Sequence, residues 1–413
     1  MRLFQLLSLL VCLTINQTVL AQNEKKVLFI GIDGVRSDAL LEANTPNLDG
    51  LMNVGLFTFD SWHLGITSSG PSWSSMLTGV WEDKHNVTNN NYTNANYNNY
   101  PYFPTRAKEC KPDLKCVQII TWNPMDDASN GTGGYVFNSG WDYSIDAGTH
   151  GQGLVTSAAM TQLLDPELDV LFIHYDEVDV AGHGNGFAPT IPTYMSAIEQ
   201  VDSEIGQVLT ALEGRSNYAN EDWLILVTTD HGGIGLGHGG NTNNERHIWW
   251  IAAGTNIPNA EITGSDPGSY QINGVDIDLV DNTPILADIA VTALDHLLDG
   301  DCNLNSNPQW DLDGKSWIEL TSVVEDKKDG VAFKVYPNPS EGKFIAVMDE
   351  VDANAKYNIS DLAGRIVMEG SLNTLGSFNN RVQFDLTSLV SGQYVMNVFN
   401  GNQSFSRKLI INN

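Results

Sequence analysis

The apolar run Trp223-Leu224-Ile225-Leu226-Val227-Thr228-Thr229 stops at Asp230-His231-Gly232. The run reads as a buried strand. A carboxylate and an imidazole side by side at its end are poor core residues. They are good ligands, one hard and one borderline, for a divalent ion such as zinc. Two further strand-like runs end in the same way. Asp33 follows Val27-Leu28-Phe29-Ile30-Gly31-Ile32, and Asp179 and His183 lie just past Leu168-Asp169-Val170-Leu171-Phe172-Ile173. In open α/β sheets ligands bind beyond the carboxyl ends of the strands, so three such endings point to one shared site.

The rest of the chain fits a sheet of that kind. Residues 22–318 alternate strand-like runs (26–32, 116–122, 169–175, 223–229, 247–253) with helix-like runs (155–164, 192–213, 283–298). Within 192–213, Ile198, Val201, Ile205, Val208, Leu209 and Leu212 recur at helical spacing. The pattern predicts an α/β domain, a mostly parallel sheet with helices on both faces. Residues 319–330, with Glu325-Asp326-Lys327-Lys328-Asp329-Gly330, read as a polar linker. Residues 331–413 then carry short alternating runs such as Phe344-Ile345-Ala346-Val347 and Tyr394-Val395-Met396-Asn397-Val398, the pattern of a small all-β sandwich. The Asn- and Tyr-rich stretch Asn91 to Tyr102 reads as a loop.

Arg2, the apolar stretch Leu3 to Leu13 and Val19-Leu20-Ala21 form a secretory signal peptide over 1–21. No other stretch is long and apolar enough to span a bilayer. The whole chain carries a formal charge of −29. Such a surface repels nucleic acid and anionic membranes. It also disfavours any anionic substrate, and bound cations would answer that locally. Cys110 and Cys116 flank five residues and are spaced to close a small disulfide loop outside the cytosol, with Cys302 left as a buried free thiol.

Between Asp33 and the later ligands lies Thr67-Ser68-Ser69-Gly70-Pro71-Ser72-Trp73-Ser74-Ser75-Met76-Leu77-Thr78-Gly79. Pro71 suits the first turn of a helix, which puts Ser69 just before its N-terminus, where N–H groups and the helix dipole favour an anion. A serine there is most often a plain N-cap. Beside a metal ion its hydroxyl becomes a nucleophile.

Asp33, Ser69-Gly70-Pro71-Ser72 with Thr78-Gly79, Asp179-Val180-Ala181-Gly182-His183 and Asp230-His231-Gly232 occur in the order seen in the alkaline phosphatase superfamily. The stretch 26–318 most resembles its type I phosphodiesterase/nucleotide pyrophosphatase branch. The resemblance implies two Zn2+ ions, with Mn2+ or Fe as substitutes. Asp33, Ser69, Asp230 and His231 match the ligands of one; Asp179 and His183 match two ligands of the other. The third is a downstream histidine, His238 in preference to His247. It further implies Ser69 as the nucleophile, a phosphoserine intermediate, and Asn90 as the residue that binds a phosphoryl oxygen, with Asn89 and Asn91 adjacent in register. The implied activity is hydrolysis of small phosphodiesters or nucleotide pyrophosphates. The alternatives are a phosphomonoesterase, a sulfatase and an inactive surface binding protein. Trp73 stands where the sulfatase branch has an arginine, and Ile119-Ile120-Thr121-Trp122-Asn123-Pro124 lacks the basic residues that hold a dianionic monoester. Lys84, Arg106 and Lys108 are the nearest in sequence, which favours a diester.

Two smaller features complete the reading. Asp299-Gly300-Asp301-Cys302-Asn303-Leu304-Asn305 alternates oxygen ligands; a structural Ca2+ is the alternative there to an ordinary Asp-Gly turn. The C-terminal segment resembles the type IX secretion sorting domain through Tyr336-Pro337-Asn338-Pro339-Ser340-Glu341-Gly342, Asp361-Leu362-Ala363-Gly364-Arg365, Ser391-Gly392-Gln393-Tyr394 and Lys408-Leu409-Ile410-Ile411. That resemblance implies the type IX machinery as a partner, and a secreted or cell-surface protein.

Overall fold

The computed structural model describes residues 23–125, 140–148, 151–272, 274–299, 310–318 and, discontinuously, 333–411. The segments expected to be leader (1–21) and linker (319–330), Cys302 and nearly all of the 299–305 segment lie outside the described residues.

Eight strands form one mixed sheet: β1 Glu24–Ile32, β2 Leu56–Trp62, β3 Cys116–Ile120, β4 Tyr143–Asp146, β5 Val170–Tyr175, β6 Glu221–Thr228, β7 His247–Ala253 and β8 Ala260–Glu261. Their order is β4-β3-β5-β1-β6-β7-β2-β8. The strands from β4 to β6 are mutually parallel, and β7 runs antiparallel to β6 and β2. The central strands are apolar throughout because both faces of the sheet are covered. Leu28, Ile30 and Ile32 of β1 join Leu171 and Ile173 of β5 and Ile225 and Val227 of β6 in one core. Val27 and Phe29 join Val170, Phe172, Leu224 and Leu226 in the other.

The helices Gln152–Gln162 and Pro192–Glu213 cover the first face; Ser69–Thr78, Phe103–Cys110 and Asp288–Leu298 cover the second. The long helix buries Ile198, Val201, Ile205, Val208 and Leu212, the predicted stripe. The run expected to be helical from 283 becomes so only at Asp288, because Ile285 bridges to Trp62 of β2 and donates its N–H to the Asp288 carboxylate. Ser69 is the first residue of its helix rather than the residue before it. Pro71 is tolerated there because the first-turn N–H groups have no partner within the helix. In the loop before Phe103, Tyr92, Tyr97 and Tyr102 are buried against that helix, and Tyr97 OH lies 2.6 Å from Ser74 Oγ.

The predicted Cys110–Cys116 loop does not form. Cys110 is disulfide-bonded, while Cys116 is a free, buried thiol at the start of β3. At its strand position Cys116 is fully buried in the core.

The C-terminal segment forms two four-stranded antiparallel sheets. One holds Phe333–Tyr336, Lys343–Met348, Arg381–Asp385 and Ser377–Phe378; the other holds Ile366–Ser371, Lys356–Asp361, Gly392–Asn400 and Gln403–Ile411. Phe344, Ile359, Phe384, Met396, Val398, Leu409 and Ile411 share their own core, as the alternation predicts. No described helix is long and apolar enough to cross a membrane.

Candidate metal centre

The adjacent strands β5, β1 and β6 end level with one another: Ile32 pairs with Tyr175, and Gly31 with Thr228. Asp33, Asp179 and Asp230 therefore emerge at one edge. Gly34 makes the turn after β1 at φ +72°, and a Cβ there would lie 2.7 Å from Asp179 Oδ1, so both conformation and space require glycine. Its N–H donates to Asp230 Oδ1 at 3.1 Å, and the His231 N–H donates to the same oxygen at 2.9 Å. Asp179 and His183 lie on one face of the helix Glu177–Asn185, with Asp179 Oδ2 and His183 Nε2 3.2 Å apart.

The histidines sort themselves by tautomer. Nδ1 of His231, His183 and His238 lies 2.8, 2.9 and 2.9 Å from the carbonyl oxygens of Gly232, Leu236 and Thr67. Each Nδ1 must carry a proton, so in the neutral ring Nε2 is the nitrogen that keeps a lone pair. Those three Nε2 atoms converge. His183 Nε2 and His238 Nε2 are 3.1 Å apart, His238 Nε2 is 3.7 Å from Asp179 Oδ1, and His231 Nε2 is 3.2 Å from Asp230 Oδ2 and 3.6 Å from Asp33 Oδ1. Two other buried pairs, His63 with Ser72 and His85 with Ser75, have the opposite tautomer. There Nδ1 accepts the N–H of Gly65 or Val87, so Nε2 donates to the serine and cannot act as its base.

Ser69 Oγ, almost buried, sits 3.4 Å from His231 Nε2. Ser68 occupies the cap position of that helix, so capping is not the work of Ser69. Asn90 Oδ1 accepts the Gly70 N–H at 2.9 Å, which places the exposed Asn90 amide across the same helix N-terminus. His247 lies elsewhere, stacked on Trp62 and 3.4 Å from Asp60 Oδ1. Of the two candidate histidines, His238 is the one brought to the cluster. Sequence reasoning overlooked His174, next to last in β5, whose Nε2 is 3.4 Å from Asp33 Oδ2. A histidine inside an otherwise apolar strand end was the available signal.

The residues fit divalent cations. Asp33, Asp230 and His231 offer ligand atoms within 4.8 Å of one another, and so do Asp179, His231 and His238. Asp33 Oδ1, Asp179 Oδ1 and Asp230 Oδ2 are buried and have no hydrogen-bond partner among the described residues. Three carboxylates with unpartnered buried oxygens, facing imidazole nitrogens, call for positive charge. The proton equilibria carry the same strain. Burial and the neighbouring Asp33 push the Asp230 and Asp179 carboxyls up. Burial also pushes Asp33 up, but His174, His231 and the Trp73 N–H outweigh it and hold Asp33 below its usual range. Burial holds His231 and His238 down, whereas Asp179 raises His183 to about 9.

Residues 27–244, more than half of the 413, match the family model described as type I phosphodiesterase / nucleotide pyrophosphatase. The chain belongs to that family. It is 23% identical over 226 residues to human ectonucleotide pyrophosphatase/phosphodiesterase family member 7, covering 51% of this chain and 48% of that protein. It is 24% identical over 223 residues to the bis(5'-adenosyl)-triphosphatase ENPP4 of Bos taurus, covering 50% and 47%. The chain thus spans about half the length of the curated relatives it matches. A putative sulfatase from Bacteroides thetaiotaomicron superposes with a TM-score of 0.52 at 12% identity, covering 85% of this chain and 86% of that one. A phosphonate monoester hydrolase from Silicibacter pomeroyi gives 0.50 at 14%, covering 94% and 89%. These two likenesses show the shared alkaline-phosphatase-like fold. Residues 334–412 match the secretion system C-terminal sorting domain, which marks the protein as secreted or held at the cell surface.

Proposed function

We propose that this protein is an exported, zinc-dependent hydrolase of small phosphodiesters or nucleotide pyrophosphates, with Ser69 as nucleophile. The observation that carries the reading is the convergence of Ser69 Oγ, three unpartnered carboxylate oxygens and three histidine Nε2 atoms at one sheet edge. Asp33, Asp230, His231 and Ser69 would hold one cation; Asp179, His183 and His238 would hold the other. Bound cations of this kind supply Lewis-acid charge, which lowers the pKa of a hydroxyl and draws a phosphate into an acidic protein. The Ser69 hydroxyl gives up its proton to solvent and its oxygen bonds to phosphorus as the P–O bond to one ester group breaks, that group taking up a proton and leaving as the alcohol. Water then attacks phosphorus, the phosphoserine P–O bond breaks, and Ser69 regains its proton as the monoester is released. Asn90, anchored through Oδ1, keeps its amide hydrogens to donate to a phosphoryl oxygen.

The basic residues nearest in sequence support the diester. Lys84 is held by Asp313, Lys108 by Asp142, and Arg106 lies over Trp310. The two lysines are thus already ion-paired. We also assign 1–21 as signal peptide, 22–318 as catalytic domain, 319–330 as linker and 331–413 as sorting domain. The test compares bis-p-nitrophenyl phosphate, p-nitrophenyl phosphate and p-nitrophenyl sulfate on the purified protein. The diester is expected to turn over fastest. Preference for the monoester or the sulfate would overturn the substrate assignment.

A further inference from the structure

Asp33 uses its two oxygens differently. Trp73 Nε1 donates to Oδ2 at 3.1 Å, and His174 Nε2 approaches the same oxygen at 3.4 Å. Oδ1 has no hydrogen-bond partner among the described residues and lies 3.6 Å from His231 Nε2. Trp73 and His174 are fully buried, and their rings meet edge to face at 4.8 Å and 83°. Behind them Thr121 Oγ1 is 3.3 Å from His174 Nδ1. The sheet reserves room for this arrangement: a Cβ on Gly31 would lie 2.4 Å from the Trp73 ring.

We infer that Trp73 and His174 form a bracket that orients Asp33 and thereby sets the zinc affinity of the buried half of the centre. The inference rests on the zinc-dependent reading above. A carboxylate free to rotate presents either oxygen, and a cation must then freeze it. Here the Trp73 N–H holds Oδ2 by a hydrogen bond and His174 Nε2, which has no other partner among the described residues, lies beside the same oxygen at 3.4 Å, so Oδ1 is left facing the ion position. The carboxylate can only accept, so the His174 tautomer that pairs with Asp33 carries its proton on Nε2, and Thr121 Oγ1 lies 3.3 Å from the other ring nitrogen and 3.4 Å from the His174 carbonyl oxygen. Shape alone does not explain Trp73, since phenylalanine would fill much of the space without the N–H. Both are positioning residues, because neither faces Oδ1.

The experiment uses the full chain, stripped of metal and titrated with zinc against a competing chelator. In Trp73→Phe the tighter zinc dissociation constant should rise by roughly 10–100-fold, as for other supporting partners of metal ligands. His174→Phe should behave alike, while His174→Gln, which keeps a donor near Nε2, should restore most of the affinity. Turnover of bis-p-nitrophenyl phosphate by Trp73→Phe should recover at saturating zinc, which a general structural lesion would not allow. Zinc affinities of Trp73→Phe and His174→Phe within about twofold of the native protein would overturn the bracket, given that expected range. So would loss that His174→Gln and excess zinc both fail to restore. A native chain that binds no zinc would instead remove the reading beneath it.

Discussion

The two halves of the centre use the same residue types and hold them in different ways. Asp33, Asp230 and His231 follow directly on strands, and their side chains are at most 3% exposed. The oxygens not facing the centre are occupied, Asp230 Oδ1 by two backbone N–H groups and Asp33 Oδ2 by Trp73. Asp179, His183 and His238 sit on a helix turn and a glycine-rich loop, with side-chain exposures of 14%, 46% and 10%. The open half depends on backbone carbonyls to aim its imidazoles. The difference teaches that strand ends make a rigid, dry ligand set, whereas a helix and loop make an accessible one that exchanges its ion and admits water more readily.

Three measurements press on that contrast. The largest effect is expected for Ser69→Ala: turnover should fall by roughly 10³-fold or more, as for removal of other nucleophiles. Zinc should stay bound, because Asp33, Asp230 and His231 remain. Surviving turnover would remove Ser69 as nucleophile; lost zinc would show that the buried half is not preformed. Next, His238→Ala should weaken the more loosely held zinc by roughly 10–100-fold while His247→Ala leaves it unchanged, read by metal analysis after dialysis. The reverse would move the ligand to the Trp62 side of the sheet.

The smallest effect is one of pH. Asp179 raises His183 from the ordinary 6.5 to about 9, so at neutral pH the metal-free open half holds a proton shared by this pair. A raised histidine stabilises the metal-free fold fully below its unfolded value and loses that contribution as pH rises through about 9. A zinc ion taken up there would have to displace that proton. Uptake at pH 7 should therefore release about one proton, and affinity should climb toward pH 9. Calorimetry in buffers of different ionisation enthalpy reads this directly. Proton-neutral binding at pH 7 would contradict the pairing.

Much of the cluster was legible because polar residues at the ends of apolar strands break the local rule. Asp230-His231 and Asp33 are polar residues where apolar strands stop, and Asp179 and His183 are one helical turn apart. Those spacings are local, so periodicity exposes them. His174 and Trp73 were not legible as partners of Asp33, since each is also an ordinary buried residue and only packing makes them meet. The cysteines show the same limit. Five intervening residues satisfy loop closure, yet Cys116 is fully buried in the core as a free thiol.

Sequence by itself determined which residues could carry chemistry, the alternation that makes a covered parallel sheet, and the change to an all-β tail, because these depend on side-chain type and short-range period. Tertiary structure decided that His238 and not His247 faces the carboxylate cluster, which ring nitrogen of each histidine is turned to a backbone carbonyl, and which oxygen of each carboxylate is occupied. Those depend on which groups face one another across the ends of strands distant in the chain, and hydrogen-bond direction exists only once both partners are in place.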